Sequence, residues 1–178
     1  CEESVHTYGQ TMNEGYITLA GGARIGVCGH VHSDGKKVLN LRDVTSLCVR
    51  VPHIVCGISD EIIPLLFSRG EVQSALIYSS PGVGKTTLLR DVAKNLSSGG
   101  SRKRVCVIDS RGEIYIRELF AHSLCDFLDG YPKGAGIEIA TRTLSPEVIA
   151  CDEIGGAEEA QAILQAQNSG VPLIATAH

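Results

Sequence analysis

The stretch that predicts the fold is Ser79-Ser80-Pro81-Gly82-Val83-Gly84-Lys85-Thr86, with Thr87 directly after it. A loop that binds phosphate needs glycines that let successive backbone N–H groups turn inward, and a helix N-terminus behind them. It also needs a lysine for the outer phosphates and a hydroxyl for magnesium. An apolar segment, Ala75–Tyr78, leads into this loop and a helical pattern leads out of it. We therefore expect the loop to bind the phosphates of ATP, with Lys85 and Thr86 as ligands.

One position of the loop departs from the usual pattern, because Ser79 stands where phosphate loops have their first glycine. Serine can hold this turn if its φ is negative. The alternative interpretation is a glycine turn before an ordinary helix. Such a turn would not require a lysine and a threonine in register, so we favour the phosphate loop.

After residue 74, short apolar segments alternate with helical periodicity, which is typical of βαβ units and a parallel sheet. The predicted strands are Ala75–Tyr78, 105–108, 148–151 and 172–175, and the predicted helices are 85–96 and 157–168. Residues 58–69 are predicted to form a short connecting helix. Residues 58–178 are thus predicted to be an α/β core of the P-loop NTPase class, with helices on a parallel sheet.

Residues 1–57 are predicted to form a small, mainly β N-terminal region. Short strands are expected at 16–19, 24–27 and 47–51, with turns at 21–22 and 33–36.

The segment 148–153 reads Val-Ile-Ala-Cys-Asp-Glu, a hydrophobic strand that ends in two carboxylates. Asp152 is predicted to hold the magnesium shell, and Glu153 to orient and deprotonate the attacking water. A glutamate beside the aspartate favours hydrolysis over a passive switch. The alternative is a pair of solvated carboxylates at the end of a strand.

Two further predicted strands also end in polar residues. Asp109 and Glu113 follow the strand 105–108, at the carboxyl edge where open α/β sheets bind ligands. They could order water or the magnesium shell, or they could form salt bridges with Arg111 or Arg117. Thr176 and His178 end the last strand, where a polar group would touch the γ-phosphate and sense its loss; a solvated histidine is the alternative.

Composition excludes several classes of protein. A 178-residue chain with 43% hydrophobic residues is long and apolar enough to bury a core. The net charge of -4 and the lack of Trp argue against nucleic acid as a partner. Seven cysteines without a C-x-x-C pair suggest neither a disulfide framework nor a zinc site. No apolar run approaches the roughly 18 residues that span a bilayer.

The order of these elements resembles the stage III sporulation protein AA family, which is similar to the ring-forming ATPases of type II and type IV secretion and of pili. The resemblance covers most of the chain and is carried by the segments 15–19, 22–26, 81–91, 129–133, 145–155 and 175–178. This combination is far more specific than the phosphate loop alone.

The resemblance implies a cytoplasmic ATPase of endospore-forming bacteria, peripheral to a membrane complex that joins mother cell and forespore. It implies a homo-oligomeric ring, a hexamer, with proteins of that membrane-embedded complex as partners. Asp109 and Glu113 match the acidic box of the secretion family, although Ser110 stands where an acid is usual. Thr176 and His178 match its histidine box.

The resemblance also places arginines of the N-terminal region at the subunit boundary. Arg24 and Arg50 lie in matching segments and are predicted to reach the γ-phosphate of the neighbouring subunit. The alternative is that they form ion pairs with nearby acids such as Glu14 or Asp43.

The function that we predict is hydrolysis of MgATP by a ring-forming ATPase that energises a sporulation channel or secretion apparatus. A nucleotide-dependent scaffold without useful turnover is the alternative; Ser79 and Ser110 favour it and Glu153 argues against it. A nucleic-acid translocase is disfavoured by the charge.

ATPases of this class with a catalytic glutamate place the sensor strand between the phosphate-loop strand and the Asp-Glu strand. The predicted strand order is therefore 75–78, 172–175, 148–151, 105–108, with 75–78 at an edge. Relatives cover this edge with a strand that would follow His178. We therefore expect an uncovered edge in a chain that is C-terminally truncated, and since the chain begins at Cys1 and not at Met, residues can also precede it.

Overall fold

The computed structural model describes residues 11–12, 15–19, 23–33, 35, 38–51, 53–100 and 102–178. The chain divides into two units, Cys1–His53 and Ile54–His178. The division lies slightly before the predicted boundary at residue 57. Residues 54–57 therefore belong to the second unit, in which the backbone N–H of Gly57 donates to the carboxylate of Asp91.

The first unit contains a three-stranded antiparallel sheet with the order β1-β2-β3: β1 (Tyr16–Thr18), β2 (Arg24–Ser33) and β3 (Val38–Arg50). The last two strands are far longer than predicted. Register shifts around Gly29 break the period-2 alternation of side chains, which is why the sequence pattern predicted shorter strands. A Cβ atom at Gly29 would lie 2.8 Å from the carbonyl oxygen of Arg42, so only glycine fits. The turns predicted at 21–22 and 33–36 lie wholly or partly outside the described residues.

The second unit begins with a 3-10 turn, Ile63–Leu66, and a small hairpin of β4 (Phe67–Ser68) and β5 (Glu71–Val72). The predicted helix over 58–69 is therefore wrong. In this segment the chain forms a single 3-10 turn, Ile63–Leu66, and this turn has a proline in its first positions. Arg69 and Gly70, both with positive φ, then form the tight turn of the hairpin.

A five-stranded parallel sheet is the centre of the second unit. Its strands are β6 (Ala75–Tyr78), β7 (Val105–Asp109), β8 (Cys125–Asp129), β9 (Val148–Ile154) and β10 (Leu173–Ala177), in the order β6-β10-β9-β7-β8. This confirms the predicted order of four strands and adds β8, which was not predicted. In the described part of the chain, β6 pairs only with β10 and so lies at an edge, as expected.

Helices flank this sheet: α1 (Lys85–Ser98), α2 (Arg117–Phe120), α3 (Lys133–Ile139), which continues into a π-helical turn, and α4 (Ala157–Asn168). The core lies on both faces of the sheet. Alternate residues of β7 pack with Leu89 and Val92 of α1 on one face and with Ile137 of α3 on the other. The predicted fold class, a parallel sheet flanked by helices with a small antiparallel region, is confirmed.

A buried carboxylate ties α1 to the chain before β6. Asp91, fully buried, accepts hydrogen bonds from the backbone N–H of Ser59 at 2.9 Å and from its hydroxyl at 2.8 Å, besides the bond from Gly57.

Burial raises the pKa of the Cys106 and Cys151 thiols to about 12, so both remain protonated core residues. No described helix is long and apolar enough to cross a membrane.

Candidate nucleotide site at the carboxyl edge of the sheet

The loop 79–84 connects β6 to the first turn of α1. Gly82 and Gly84 have φ values of 77° and 105°, in the left-handed region that glycine adopts at no steric cost. Ser79 is not among the described non-glycine residues with positive φ, so it meets the condition set for serine in place of glycine. The loop therefore has the backbone conformation that turns N–H groups inward at a helix N-terminus.

Lys85, the first residue of α1, is only 8% exposed. Its ammonium donates to the carbonyl oxygen of Ser79 at 2.7 Å, to that of Ser80 at 2.9 Å and to Nδ1 of His178 at 2.9 Å. An ammonium has three hydrogens to donate, so these contacts use all of them. The loop thus curls around its own lysine.

His178 connects this lysine to Glu153. Because an ammonium can only donate, Nδ1 of His178 must accept, which assigns the ring hydrogen to Nε2. Nε2 then donates to Oε1 of Glu153 over 2.8 Å. A continuous chain of hydrogen bonds therefore runs from the loop 79–84 through Lys85 and His178 to Glu153, one of the acid pair Asp152 and Glu153.

Asp152 lies at the centre of a second set of hydrogen bonds and is 8% exposed. Oδ2 accepts from the hydroxyl of Thr86 at 3.1 Å, and Oδ1 accepts from the hydroxyl of Thr176 at 2.6 Å. The Thr176 oxygen in turn accepts from the backbone N–H of Glu153 at 2.7 Å. The fully buried Thr176 hydroxyl therefore fixes both members of the acid pair.

Glu153 lies in a β-bulge. The pairing of β9 with β10 shifts so that Asp152 and Glu153 together oppose Thr176. Glu153 has a φ of 44°, which is rare for a residue with a side chain and is held only where its surroundings impose it. Its carbonyl oxygen accepts from the ammonium of Lys133.

Lys133 also stabilises the turn that follows Glu153. Its ammonium lies 3.1 Å from Glu159, whose carboxylate accepts from the backbone N–H groups of Gly155 and Gly156. Lys133 was missed by the sequence reasoning as a site residue, although it lies in the segment 129–133 that carries part of the resemblance. No local pattern connects it to a carbonyl twenty residues away.

Asp109 is 1% exposed and closes the loop after β7. Its carboxylate accepts from the N–H groups of Glu113 at 2.9 Å, Ile114 at 2.7 Å and Tyr115 at 3.1 Å. No described ion pair joins Asp109 to Arg111 or Arg117, the two partners considered from the sequence. Its carboxylate instead holds the loop backbone.

Glu113 is fixed through its backbone, since its carbonyl oxygen accepts from the buried guanidinium of Arg90. Burial lowers the pKa of Arg90 below its usual value, against the opposing effect of Asp109 and Asp152. Arg111, on the same loop, extends to Glu153 and forms an ion pair with Oε2. This contact was also missed by the sequence reasoning.

Comparison with known proteins identifies the family. The family model described as "Sporulation stage III, protein AA" matches residues 1–178. The stage III sporulation protein AA of Bacillus subtilis (strain 168) is 36% identical over 184 residues, which cover 98% of this chain and 59% of that protein. The chain belongs to the stage III sporulation protein AA family.

This member of the family spans only part of the curated relatives that it matches. Besides the B. subtilis protein, it is similar to the protein SEEDLING PLASTID DEVELOPMENT 1 of Arabidopsis thaliana, at 34% identity over 147 residues. These cover 76% of this chain and 20% of that protein.

Solved structures share the fold. The Legionella pneumophila ATPase DotB matches with a TM-score of 0.61 at 20% identity, over 88% of this chain and 43% of that chain. The pilus retraction motor PilT with bound ADP matches with a TM-score of 0.66 at 15% identity, over 99% of this chain and 52% of that chain. The chain therefore shares the fold of these two proteins.

Arg24 and Arg50, the remaining predicted site residues, lie in the first unit. They are register partners on β2 and β3, so their side chains leave the same face of the sheet. The Arg24 guanidinium lies 3.8 Å from the centre of the Tyr16 ring. No ion pair joins Arg50 to a described residue, and Glu14, one acid considered as a partner, lies outside the described residues.

Proposed function

We propose that this chain binds ATP on the loop 79–87 and hydrolyses it, as a subunit of a ring-forming ATPase that energises a membrane-associated sporulation channel or secretion apparatus. The observation that carries the proposal is the hydrogen-bonded chain Lys85–His178–Glu153, with Asp152 beside it. These hydrogen bonds connect the lysine that would bind phosphate to the carboxylate that would act as the base.

Binding begins with an exchange of partners at Lys85. The two loop carbonyls and His178 now accept from its ammonium, and each would be replaced by a β- or γ-phosphate oxygen, a charged and therefore stronger acceptor. The backbone N–H groups of the loop and the first turn of α1 hold the remaining phosphate oxygens.

Thr86 and Asp152 fit a magnesium site. Their oxygens lie 3.1 Å apart, and a hydroxyl and a carboxylate are oxygen ligands of the kind that this ion prefers. Magnesium, when bound, neutralises charge on the β- and γ-phosphates.

Hydrolysis requires a base near the γ-phosphate, and Glu153 takes that role. Its carboxylate accepts a proton from water as the water oxygen bonds to the γ-phosphorus; the bond from that phosphorus to the bridging oxygen breaks, and ADP leaves. Thr176 holds the backbone of Glu153 and the carboxylate of Asp152 in register. His178 senses the γ-phosphate, because phosphate binding withdraws Lys85 from its Nδ1. Glu113 supports the site through the loop that Asp109 closes.

The assembly that we propose is a homo-oligomeric ring, a hexamer, in the cytoplasm and peripheral to a membrane-embedded complex. Support comes from the B. subtilis relative, a stage III sporulation protein, and from two fold neighbours, the ATPase DotB and the pilus retraction motor PilT. Arg24 and Arg50 would neutralise the γ-phosphate of the adjacent subunit.

A second candidate function is a scaffold that binds ATP and assembles without useful turnover. One observation favours it: both carboxylate oxygens of Glu153 are already engaged, by His178 and by Arg111.

The test is phosphate release at saturating MgATP, measured over a wide range of protein concentration, with Glu153→Gln as the matched control. Hydrolysis in a ring predicts turnover per subunit that rises steeply with concentration in the native protein and stays at background in the variant. Nucleotide binding with no turnover at any concentration would reject hydrolysis and favour the scaffold.

A further inference from the structure

The side chain of Glu153 is held at both of its oxygens. Nε2 of His178 donates to Oε1, and the guanidinium of Arg111 forms an ion pair with Oε2. A general base must turn a free lone pair towards the attacking water. The described arrangement instead directs the two oxygens at two side chains.

Arg111 is placed for this contact by its loop. Asp109, at the end of β7, binds three successive backbone N–H groups, of residues 113–115, so the chain between them is a short closed loop with fixed ends. Arg111 lies within this loop, and its side chain extends to Glu153 on β9.

The exposure of the two partners decides what the ion pair can do. The Arg111 side chain is 54% exposed and that of Glu153 is 28% exposed. Ion pairs at such exposure contribute little to folding stability and open readily. The Arg111–Glu153 ion pair is therefore better suited to a reversible restraint than to stabilising the fold. The strained backbone of Glu153 is held separately, by Thr176 and Lys133.

We infer that Arg111 is a positioning residue that holds Glu153 in a resting orientation, and that ATP hydrolysis requires the Arg111–Glu153 ion pair to open. This inference rests on the proposed function, because Glu153 matters here as the base. Arg111 restrains the side chain of Glu153 from the neighbouring strand end, and a subunit that keeps the ion pair closed turns over slowly.

The experiment compares wild type with Arg111→Ala, Arg111→Lys and Arg142→Ala, at a low protein concentration where wild type shows only its basal rate. Arg142 is the matched control, since it is also an exposed arginine in an ion pair, with Glu138. Phosphate release is measured against MgATP concentration. Removing an exposed ion pair should raise kcat about two- to fivefold, with KM unchanged. Arg111→Lys should fall between wild type and Arg111→Ala, and Arg142→Ala should match wild type.

Further variants separate the possible outcomes. The double variant Arg111→Ala, Glu153→Gln should lose the gain completely, because the gain acts through Glu153. If wild type is active and the kcat of Arg111→Ala is equal to or below that of wild type, the proposed restraint by Arg111 is wrong, while the proposed hydrolysis is not contradicted. A gain that survives in the double variant also overturns it. If neither wild type nor Arg111→Ala releases phosphate at any concentration, hydrolysis and the restraint are both rejected.

Discussion

Nδ1 of His178 lies 2.9 Å from the ammonium nitrogen of Lys85, while Nε2 of the same ring lies 2.8 Å from Glu153. One imidazole therefore contacts the group that would bind phosphate and the group that would activate water. The two roles belong to different residues, so they can be separated by substitution.

Lys85→Ala should abolish nucleotide binding, because it removes the charge that faces the outer phosphates. Glu153→Gln should keep binding and lose hydrolysis by roughly two to four orders of magnitude, the usual contribution of a general base. Titration with a fluorescent nucleotide, beside a phosphate-release assay, measures both effects. Equal loss of binding in the two variants would contradict this division of roles.

Thr176→Val should impair both folding and catalysis. The substitution keeps the shape of the side chain but leaves the N–H of Glu153 and one oxygen of Asp152 without their partner. Loss of a buried hydrogen-bond partner costs about 1–3 kcal/mol, and the misplaced acid pair should also lower kcat. Urea denaturation and phosphate release measure the two effects. Thr176→Ser keeps the hydroxyl and is the control; a Val variant as stable and active as the Ser variant would disprove the role.

The order of the sheet could be predicted from sequence because it depends on buried, apolar strands. Each of β6, β7, β9 and β10 is predicted from a run of apolar residues followed by polar ones, and the Asp-Glu pair identified β9 as the neighbour of β10. β8 has a weaker pattern: its sequence, Cys125–Asp129, has two acids among five residues and pairs only with β7 in the described part of the chain. Its position at an edge leaves it half-exposed, so the hydrophobic signal is diluted.

The contacts of the site that sequence reasoning missed are long-range and polar. Arg111 pairs with Glu153, and Lys133 bonds its carbonyl oxygen. No periodicity or motif spacing in the sequence indicates either contact, because each contact depends on how two loops meet at the edge of the sheet. Asp109 shows the same limit: its position at a strand end predicted a role at the edge, but the residues it binds are its own neighbours, 113–115.

Asp91→Ala should destabilise the second unit without touching the acid pair. The carboxylate is fully buried and accepts hydrogen bonds from Gly57 and Ser59. Leaving these donors unpaired should lower the free energy of unfolding by about 2–3 kcal/mol. Thermal denaturation measures the change. Asp60→Ala is the control, because Asp60 is exposed and accepts a hydrogen bond from Asn95. An equal loss in both variants would contradict a specific role of Asp91.

Glu147→Gln should reduce stability at neutral pH but not in acid. The backbone N–H of Arg104 and, secondarily, Lys103 hold the pKa of Glu147 below its usual value of 4.5. A carboxyl whose pKa is lowered on folding contributes stability above its unfolded pKa and loses it as the pH falls through the folded value. We expect a loss of about 1 kcal/mol at pH 7, in the range of a partly exposed ion pair, that shrinks below pH 4.5. Urea denaturation at several pH values measures the free energy of unfolding of the wild type and of Glu147→Gln. A difference between the two that does not depend on pH would disprove the charge effect.

The last prediction is that Arg24 and Arg50 complete the site of a neighbouring subunit. The two arginines are directly opposite each other on β2 and β3. An arginine supplied in trans to a γ-phosphate contributes roughly three to five orders of magnitude to turnover. A surface ion pair with Asp43 would contribute less than about 1 kcal/mol, so the two alternatives differ measurably.

Mixing Glu153→Gln protein with the double variant Arg24→Ala, Arg50→Ala, each inactive alone, should restore partial phosphate release. Some interfaces in mixed rings would then combine an intact base with intact arginines. Near-normal turnover by the double variant alone would rule out the role in trans.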